Sequence, residues 1–451
     1  MSDLLASVGV MGALGASMLL AKLLSKHFSL SAEWSRKIIH IAMGCIALTF
    51  PFIFQNRLSV LVLGVISIVI LLLLRNIKAL REGIGKTLLG VGRKSFGEIY
   101  FVISIVAIFW FHQSPFEFII PIAVLTFADS IAALVGISYG RHSIAHPRED
   151  HKSSEGSVMF FVVAFFCALI PLQLMTEIGR AEVLVISGLV GLLAALVEMV
   201  AKNGNDNLLL PLFTYNIIRH NIYQPLDGIL LDLSAMVFFF AVCIVVYKAT
   251  NLTKLSVVYS LLTAYLVMIL GGIIWILPPL ALFLTFGILP NMKQSEKDMT
   301  QDYRAIETNS IIGIICLSAS VFLPQYREIL YLSFSLSFAC HLAINTYSRL
   351  LNFFNLSKGL SAFVGLVKAV VFIALPAYFL ANMNQLTLIL YLSTIVLVMP
   401  AAIFANSVYD YTKVGEETFR ANKVAVGTYV GIFTVVMIII LEFGGNGNGI
   451  Y

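Results

Sequence analysis

Four acidic residues are conspicuous for where they sit. Asp129 lies midway through "PIAVLTFADSIAALVGISYG" (residues 121–140), and Glu198 interrupts the apolar run "ALVEMV" (195–200). Glu155 belongs to "KSSEGS" (152–157) and Asp206 to "NGNDN" (203–207), each beside an apolar segment. A charged side chain at the centre of a membrane helix costs about 2.5–3.5 kcal/mol to insert, and such residues mark functional sites by default. Basic groups accompany them: Lys152 in the same loop as Glu155, and Arg36, Lys37 and His40 in "EWSRKIIHIAMG" (33–44). Phosphoryl or nucleotidyl transfer wants this mixture. Carboxylates hold a metal, cations neutralise phosphate oxygens, and catalysis is mostly positioning and electrostatics. The chain has no G-x-x-x-x-G-K-[ST] loop and no kinase-type glycine loop, so neither ordinary nucleotide fold is available.

The spacings suggest how these groups are presented. Arg36 and His40 are four residues apart and share one helical face, with Lys37 beside them. Arg36 and Lys37 alone would pass as a snorkelling anchor beside Trp34, but His40 lies one turn deeper. Asp129 is followed by small residues, Ala132, Ala133, Gly136 and Gly140, which allow another backbone to come close. Lys152, Ser153, Ser154, Glu155, Gly156 and Ser157 then precede the next apolar run. Serines and a glycine at a helix start expose unpaired N–H groups to an anion, and Lys152 adds a charge for phosphate. Asp129 and Glu155 could hold a divalent cation, Mg²⁺ or Mn²⁺, since Mg²⁺ commonly uses one or two carboxylates plus phosphate oxygens. Turn chemistry explains Asn203, Gly204 and Asn205, and leaves Asp206 and Asn207 either as turn residues or as site residues. Glu98, at the start of "GEIYF" (97–101), reads as a first-turn acid favoured by the helix dipole.

The elements that must position these groups are membrane helices. Hydrophobic residues make up 59% of the 451 and charged residues only 12%, with a mean hydropathy of +0.94. A soluble domain carries about 25% charged residues. The expected fold is therefore all-α, a polytopic transmembrane helical bundle of about 13–15 spans, because only helices satisfy their own backbone within lipid. Apolar runs lie near 4–24, 38–54, 58–74, 97–111, 117–138, 157–175, 183–201 and 229–247. They continue near 255–276, 278–290, 309–324, 329–346, 360–381, 385–406 and 425–442. The first has Asp3 where a secretory signal would be basic, so it reads as a retained span. The five cysteines all fall in apolar runs without metal-ligand spacing or a disulfide framework.

Alternating the spans puts the loops at 25–37, 75–96, 139–155 and 202–226 on one side. That side collects most Lys and Arg of the first half, whereas the opposite loops hold Arg57 and Arg180. By the positive-inside tendency it is cytoplasmic, the N-terminus is outside, and the active face meets the cytosol. The net charge of +5 is explained by topology and anionic lipid, with no nucleic-acid partner required.

Taken together, "RKIIH" (36–40), "GEIYF" (97–101), "ADSIAALVGISYG" (128–140) leading to "KSSEGS" (152–157), and "EMVAKNGNDNLLLP" (198–211) resemble the CTP-dependent polyprenol kinase family. That family comprises dolichol kinase, phytol kinase and fungal diacylglycerol kinase, and is similar in its membrane core to phosphatidate cytidylyltransferase. The resemblance implies transfer of the γ-phosphate of CTP to a lipid alcohol: phytol, farnesol or geranylgeraniol, a dolichol-type polyprenol, or diacylglycerol. It implies a nucleotide–metal site of Asp129, Lys152 and Glu155, completed by Glu198, Asp206 and Asn207, with Arg36, Lys37 and His40 nearby. In that reading Asp129 and Glu155 hold Mg²⁺, Lys152 meets the CTP phosphates, and His40 or Glu198 orients or deprotonates the lipid hydroxyl. The loop 141–151, "RHSIAHPREDH", is longer and more charged than the phytol kinase pattern.

Residues 1–250 thus read as the kinase-like membrane domain. Residues 251–451 read as a second membrane domain, structural or lipid-handling, or a degenerate relative of the first. Its most regular polar feature is His341, Asn345 and Arg349 at i, i+4 and i+8, a seam between helices or the wall of a pocket. Two rival functions share the composition: nucleotidyl transfer of the phosphatidate cytidylyltransferase type, and secondary transport. A transporter is expected to carry embedded acids in both halves, and the second half lacks them.

Overall fold

A computed structural model describes residues 3–29, 32–77, 96–142, 152–202, 204–247, 250–288, 290–291, 293 and 303–381, with positions 391, 392, 395, 400 and 403. The basic loop residues Lys78, Arg81, Lys86, Arg93, Lys94 and Arg148 lie outside the described residues. So do the charged loop at 410–423, the expected span at 425–442 and all but five residues of that at 385–406. Every described element is helical. Ten helices among the described residues are long and apolar enough to cross a membrane, and three shorter apolar helices, Gly97–Phe111, Ile273–Gly287 and Ile306–Phe322, accompany them. The protein is a polytopic helical membrane bundle.

The chain divides into two compact units, Met1–Ser234 and Ala235–Tyr451. The first contains α1 (Asp3–Phe28), α2 (Ala32–Ala47), the single turn α3 (Phe50–Ile53), α4 (Arg57–Asn76) and α5 (Gly97–Phe111). Next come α6 (Pro115–Ala123), a π-helical turn (Val124–Ala128), α7 (Asp129–Tyr139), α8 (Ser154–Met175), α9 (Arg180–Val200) and α10 (Asp206–Asn221). Helix α11 (Leu226–Tyr247) carries the chain onward.

Local chemistry sets several helix starts. Asn56 caps α4 by accepting from Leu58 N, and Ser153 caps α8 by accepting from Gly156 N at 3.1 Å. Packing follows from small residues. Helix α8 lies against both α7 and α9. At the α7–α8 crossing, a Cβ added to Gly156 would fall 3.1 Å from Ala132 O, and one added to Gly140 would fall 2.8 Å from Ser153 Oγ. Gly44 does the same for α2, where a Cβ would overlap Thr126 of the π turn. These glycines let α2, the π turn, α7 and α8 approach closely around Asp129.

The second unit is built on α12 (Lys254–Gly271), α13 (Ile273–Ile288), α14 (Tyr303–Phe322), α15 (Arg327–Phe354) and α16 (Lys358–Ala369), followed after a second π turn by α17 (Leu375–Leu380). Helix α15 is buried on almost every side, against α13, α14 and α16. The seam residues on it divide their tasks. Arg349 donates to Pro290 O at 3.0 Å and to Phe286 O, ending α13 with a cation where the dipole favours one. Asn345 lines a cavity of about 110 Å³, and from α16 Lys368 donates to Thr285 O at 2.8 Å.

Candidate active site

The site begins at an irregularity in the backbone. Pro121 sits inside α6 and removes an intrahelical donor, and the helix widens into the π turn Val124–Ala128 directly before Asp129. A π turn shifts the hydrogen-bond register and releases a carbonyl. Here His40 Nε2 lies 3.1 Å from Leu125 O. A carbonyl only accepts, so Nε2 carries the proton in this bond and the lone pair of the neutral ring is on Nδ1. The ring also packs on Phe101, with centroids 5.2 Å apart.

Asp129 is clasped from α2. Lys37 Nζ donates to Asp129 Oδ2 at 2.7 Å and reaches Asp129 O at 3.4 Å, while His40 Nε2 stands 3.7 Å from the same Oδ2. Lys37 and His40 are three residues apart, so one face of α2 delivers both. Arg36 is half-buried on the same helix.

A second lysine serves the second embedded acid. Lys152 Nζ lies 3.0 Å from Glu198 Oε1, donates to Ala201 O at 2.9 Å, and also donates to Glu198 O. It thereby ties the segment ahead of α8 to the C-terminal end of α9, where backbone carbonyls lack helical partners. Burial works against its charge, but the carboxylates of Glu198 and Asp206 outweigh burial and raise its pKa above the ordinary lysine value of 10.5.

The two clasped acids meet a third. Carboxylate oxygens of Asp129, Glu198 and Asp206 all lie within 4.8 Å of one another. Glu198 Oε2 is buried without a hydrogen-bond partner. An orphaned buried carboxylate oxygen is costly, and among converging acids it is an oxygen that a bound cation would satisfy. The donor set is entirely oxygen, which suits a hard divalent cation such as Mg²⁺ or Mn²⁺. These residues therefore fit the metal that the family implies.

The structure does not bring Glu155 into this trio. Its carboxylate turns to the other side of the loop, 2.9 Å from His142 Nδ1, with Ser154 Oγ 3.2 Å away. The reason is helical geometry. Ser153 Oγ already holds Gly156 N, which fixes the first turn of α8, and Glu155 follows with its side chain toward His142. Ser154 N donates to His142 O at 3.0 Å and Ser157 N to Ser153 O at 3.0 Å. Gly136 and Gly140 face Ser153 across the α7–α8 crossing. Asn207 is buried and donates to Gly97 O at 3.0 Å, holding α10 to the start of α5. Glu98 occupies the first turn of α5, one residue from that contact.

Two features of the site have no signature of their own in the sequence. The π turn leaves no periodic signal beyond Pro121 upstream, and the pairing of Lys152 with the end of α9 depends on tertiary packing alone.

Fold and site define a polytopic membrane protein whose first unit sets three carboxylates, two lysines and a histidine where apolar helices meet. Phytol kinase of Synechocystis is 32% identical to this chain over 202 residues, covering 44% of the chain and 84% of that protein. A probable chloroplastic phytol kinase 1 of Glycine max is 28% identical over 226 residues, and the chloroplastic phytol kinase 1 of Arabidopsis thaliana 25% over 236. Those two alignments cover 46% and 47% of this chain, and 74% of each relative. The chain belongs to the phytol kinase family, as a distant member with more than half of its length outside each alignment. No protein-family profile matches it, and no solved structure does.

Proposed function

We propose that the first unit is an integral-membrane kinase that transfers the γ-phosphate of CTP to a lipid alcohol at the cytoplasmic face. The observation that carries this reading is the convergence of Asp129, Glu198 and Asp206 with one buried oxygen unsatisfied, flanked by Lys37 and Lys152. Membership of the phytol kinase family supports the choice of a lipid hydroxyl as acceptor.

In the reaction the acceptor oxygen attacks the γ-phosphorus, the bond to the β-phosphate oxygen breaks, and CDP leaves. Asp129, Glu198 and Asp206 would hold the divalent cation, which when bound neutralises β- and γ-phosphate oxygens. Lys37 and Lys152 each occupy one oxygen of an acid, fixing its orientation and leaving the other oxygen for the cation. Their positive charges also face the region where phosphate charge accumulates. His40, with its lone pair on Nδ1, receives the hydroxyl proton, and its bond to Leu125 O keeps the ring in that tautomer. The start of α8 contributes the positive end of its dipole next to Lys152, while the N–H groups of Ser154, Gly156 and Ser157 are held by His142 O, Ser153 Oγ and Ser153 O. The second unit is a structural or lipid-handling domain.

Purified protein supplied with Mg²⁺, a panel of lipid alcohols and CTP labelled at either the γ- or the α-phosphate tests this directly. Only the γ-label should enter the lipid, and Asp129→Asn should abolish the transfer. Entry of the α-label would instead assign nucleotidyl transfer.

A further inference from the structure

The second unit encloses a cavity of about 110 Å³ that no step above uses. Every described residue of its wall belongs to that unit: the end of α11, the segment between α11 and α12, and helices α12 to α15. Pro279, one of two prolines inside α13, is among them. Each proline removes an intrahelical donor and crowds the turn before it, the commonest cause of a kinked helix. No lining residue among those described is charged. Two kinds of side chain stand out instead. Thr250, Ser260, Thr263, Asn309, Ser310 and Asn345 are polar, and Phe239, Phe283, Phe286 and Phe338 are aromatic.

The polar groups define what would satisfy them. Ser260 Oγ donates to Ser256 O and Thr263 Oγ1 to Tyr259 O, each at 2.9 Å. Both hydroxyl protons are thus committed within α12 and their lone pairs remain, which calls for an occupant that donates. Thr250 is only 7% exposed, and its Oγ1 has no hydrogen-bond partner. That hydroxyl still has a proton to give, as does the carboxamide of Asn345, so the occupant must also accept. A buried hydroxyl left unpaired is costly, and in a cavity wall it is a group that an occupant would satisfy.

We propose that this cavity binds a single uncharged aromatic ring carrying a hydroxyl group, a ligand of phenol size. Volume sets the dimensions. An apolar cavity of about 150 Å³ encloses benzene, so the space here takes one six-membered ring and no second. Charge is disfavoured, because the wall holds nothing to neutralise a buried ion. A plain hydrocarbon would strand the hydroxyl of Thr250 and the amide of Asn345. Water alone, about four molecules at about 30 Å³ each, would find no partners on the four phenylalanines, which pack instead on another ring. A ring hydroxyl donates and accepts at once, and so meets both demands of the polar groups. The site does not rest on the kinase reading, and it gives the second unit a ligand of its own.

Fluorine nuclear magnetic resonance tests this with para-fluorophenol and the full-length protein in lipid nanodiscs at about pH 7, where the ring hydroxyl stays protonated. A saturable bound component is expected above the unsaturable partition into lipid. Unlabelled phenol should displace it at least about tenfold better than cyclohexanol or benzoate does. Ala264 lines the cavity from α12, and Ala264→Phe should abolish the component by filling the space. Thr263→Val keeps the side-chain outline and guards against misfolding as the cause of a loss. It should weaken para-fluorophenol about tenfold and leave the weaker binding of fluorobenzene unchanged. A signal with no saturable part would overturn the assignment and leave the cavity to water. Equal binding of para-fluorophenol and fluorobenzene, equal displacement by cyclohexanol or benzoate, or indifference to both substitutions would overturn it as well.

Discussion

Lys37 and Asp129 lie 92 residues apart in sequence and 2.7 Å apart in space, with side chains only 3% and 9% exposed. A pair this deeply buried stabilises little overall, because desolvation offsets most of the attraction, yet removing one partner strands the other. Lys37→Met is therefore expected to destabilise the first unit by about 3–5 kcal/mol. Combining it with Asp129→Leu should recover most of that loss without restoring phosphoryl transfer. Thermal unfolding of the purified variants in detergent, alongside activity, separates the two effects.

The Lys152–Glu198 pair carries a pH signature. Since the pKa of Lys152 is raised above 10.5, the stability it contributes is fully present below the unfolded value and is lost only as pH rises through the folded value. The deficit of Lys152→Gln relative to the unaltered protein should persist to about pH 10 and shrink only above about 10.5. Chemical denaturation at a series of pH values measures it. A deficit already lost by about pH 9 would show that Lys152 is not held charged by its acids.

The α7–α8 crossing makes an ordered prediction. An added Cβ meets Gly136 O at 2.3 Å for Gly140, Ala132 O at 3.1 Å for Gly156, and Ser153 Oγ at 3.2 Å for Gly136. Backbone cannot yield as a side chain can. Activity and stability should fall in the order Gly140→Ala, Gly156→Ala, Gly136→Ala, with losses of about 1–3 kcal/mol at the severe end.

Much of the site was legible because lipid makes charge expensive. Asp129 and Glu198 announce themselves as acids within apolar runs, and the i, i+3, i+4 relations of Arg36, Lys37 and His40 predict a shared face. What the sequence could not give is which acids converge. Glu155 is nearer Asp129 along the chain than Glu198 or Asp206 is, but the cap at Ser153 turns it to His142, while the packing of α9 and α10 brings the other two in. Such convergence is set by tertiary contacts, which leave no local period. The same holds for Asn207, which the resemblance puts in the nucleotide site and whose amide donates to Gly97 O. The helical class followed from composition and hydropathy, whereas the π turn that aims His40 has no signal beyond Pro121.

The most direct test of the central claim is to titrate Mn²⁺ into the purified protein with CTP and follow the bound ion by electron paramagnetic resonance. The account predicts that Glu198→Gln and Asp206→Asn each weaken Mn²⁺ binding by at least about tenfold, and that Glu155→Gln leaves it unchanged. Undiminished binding in the first two variants, or loss in Glu155→Gln alone, would contradict it.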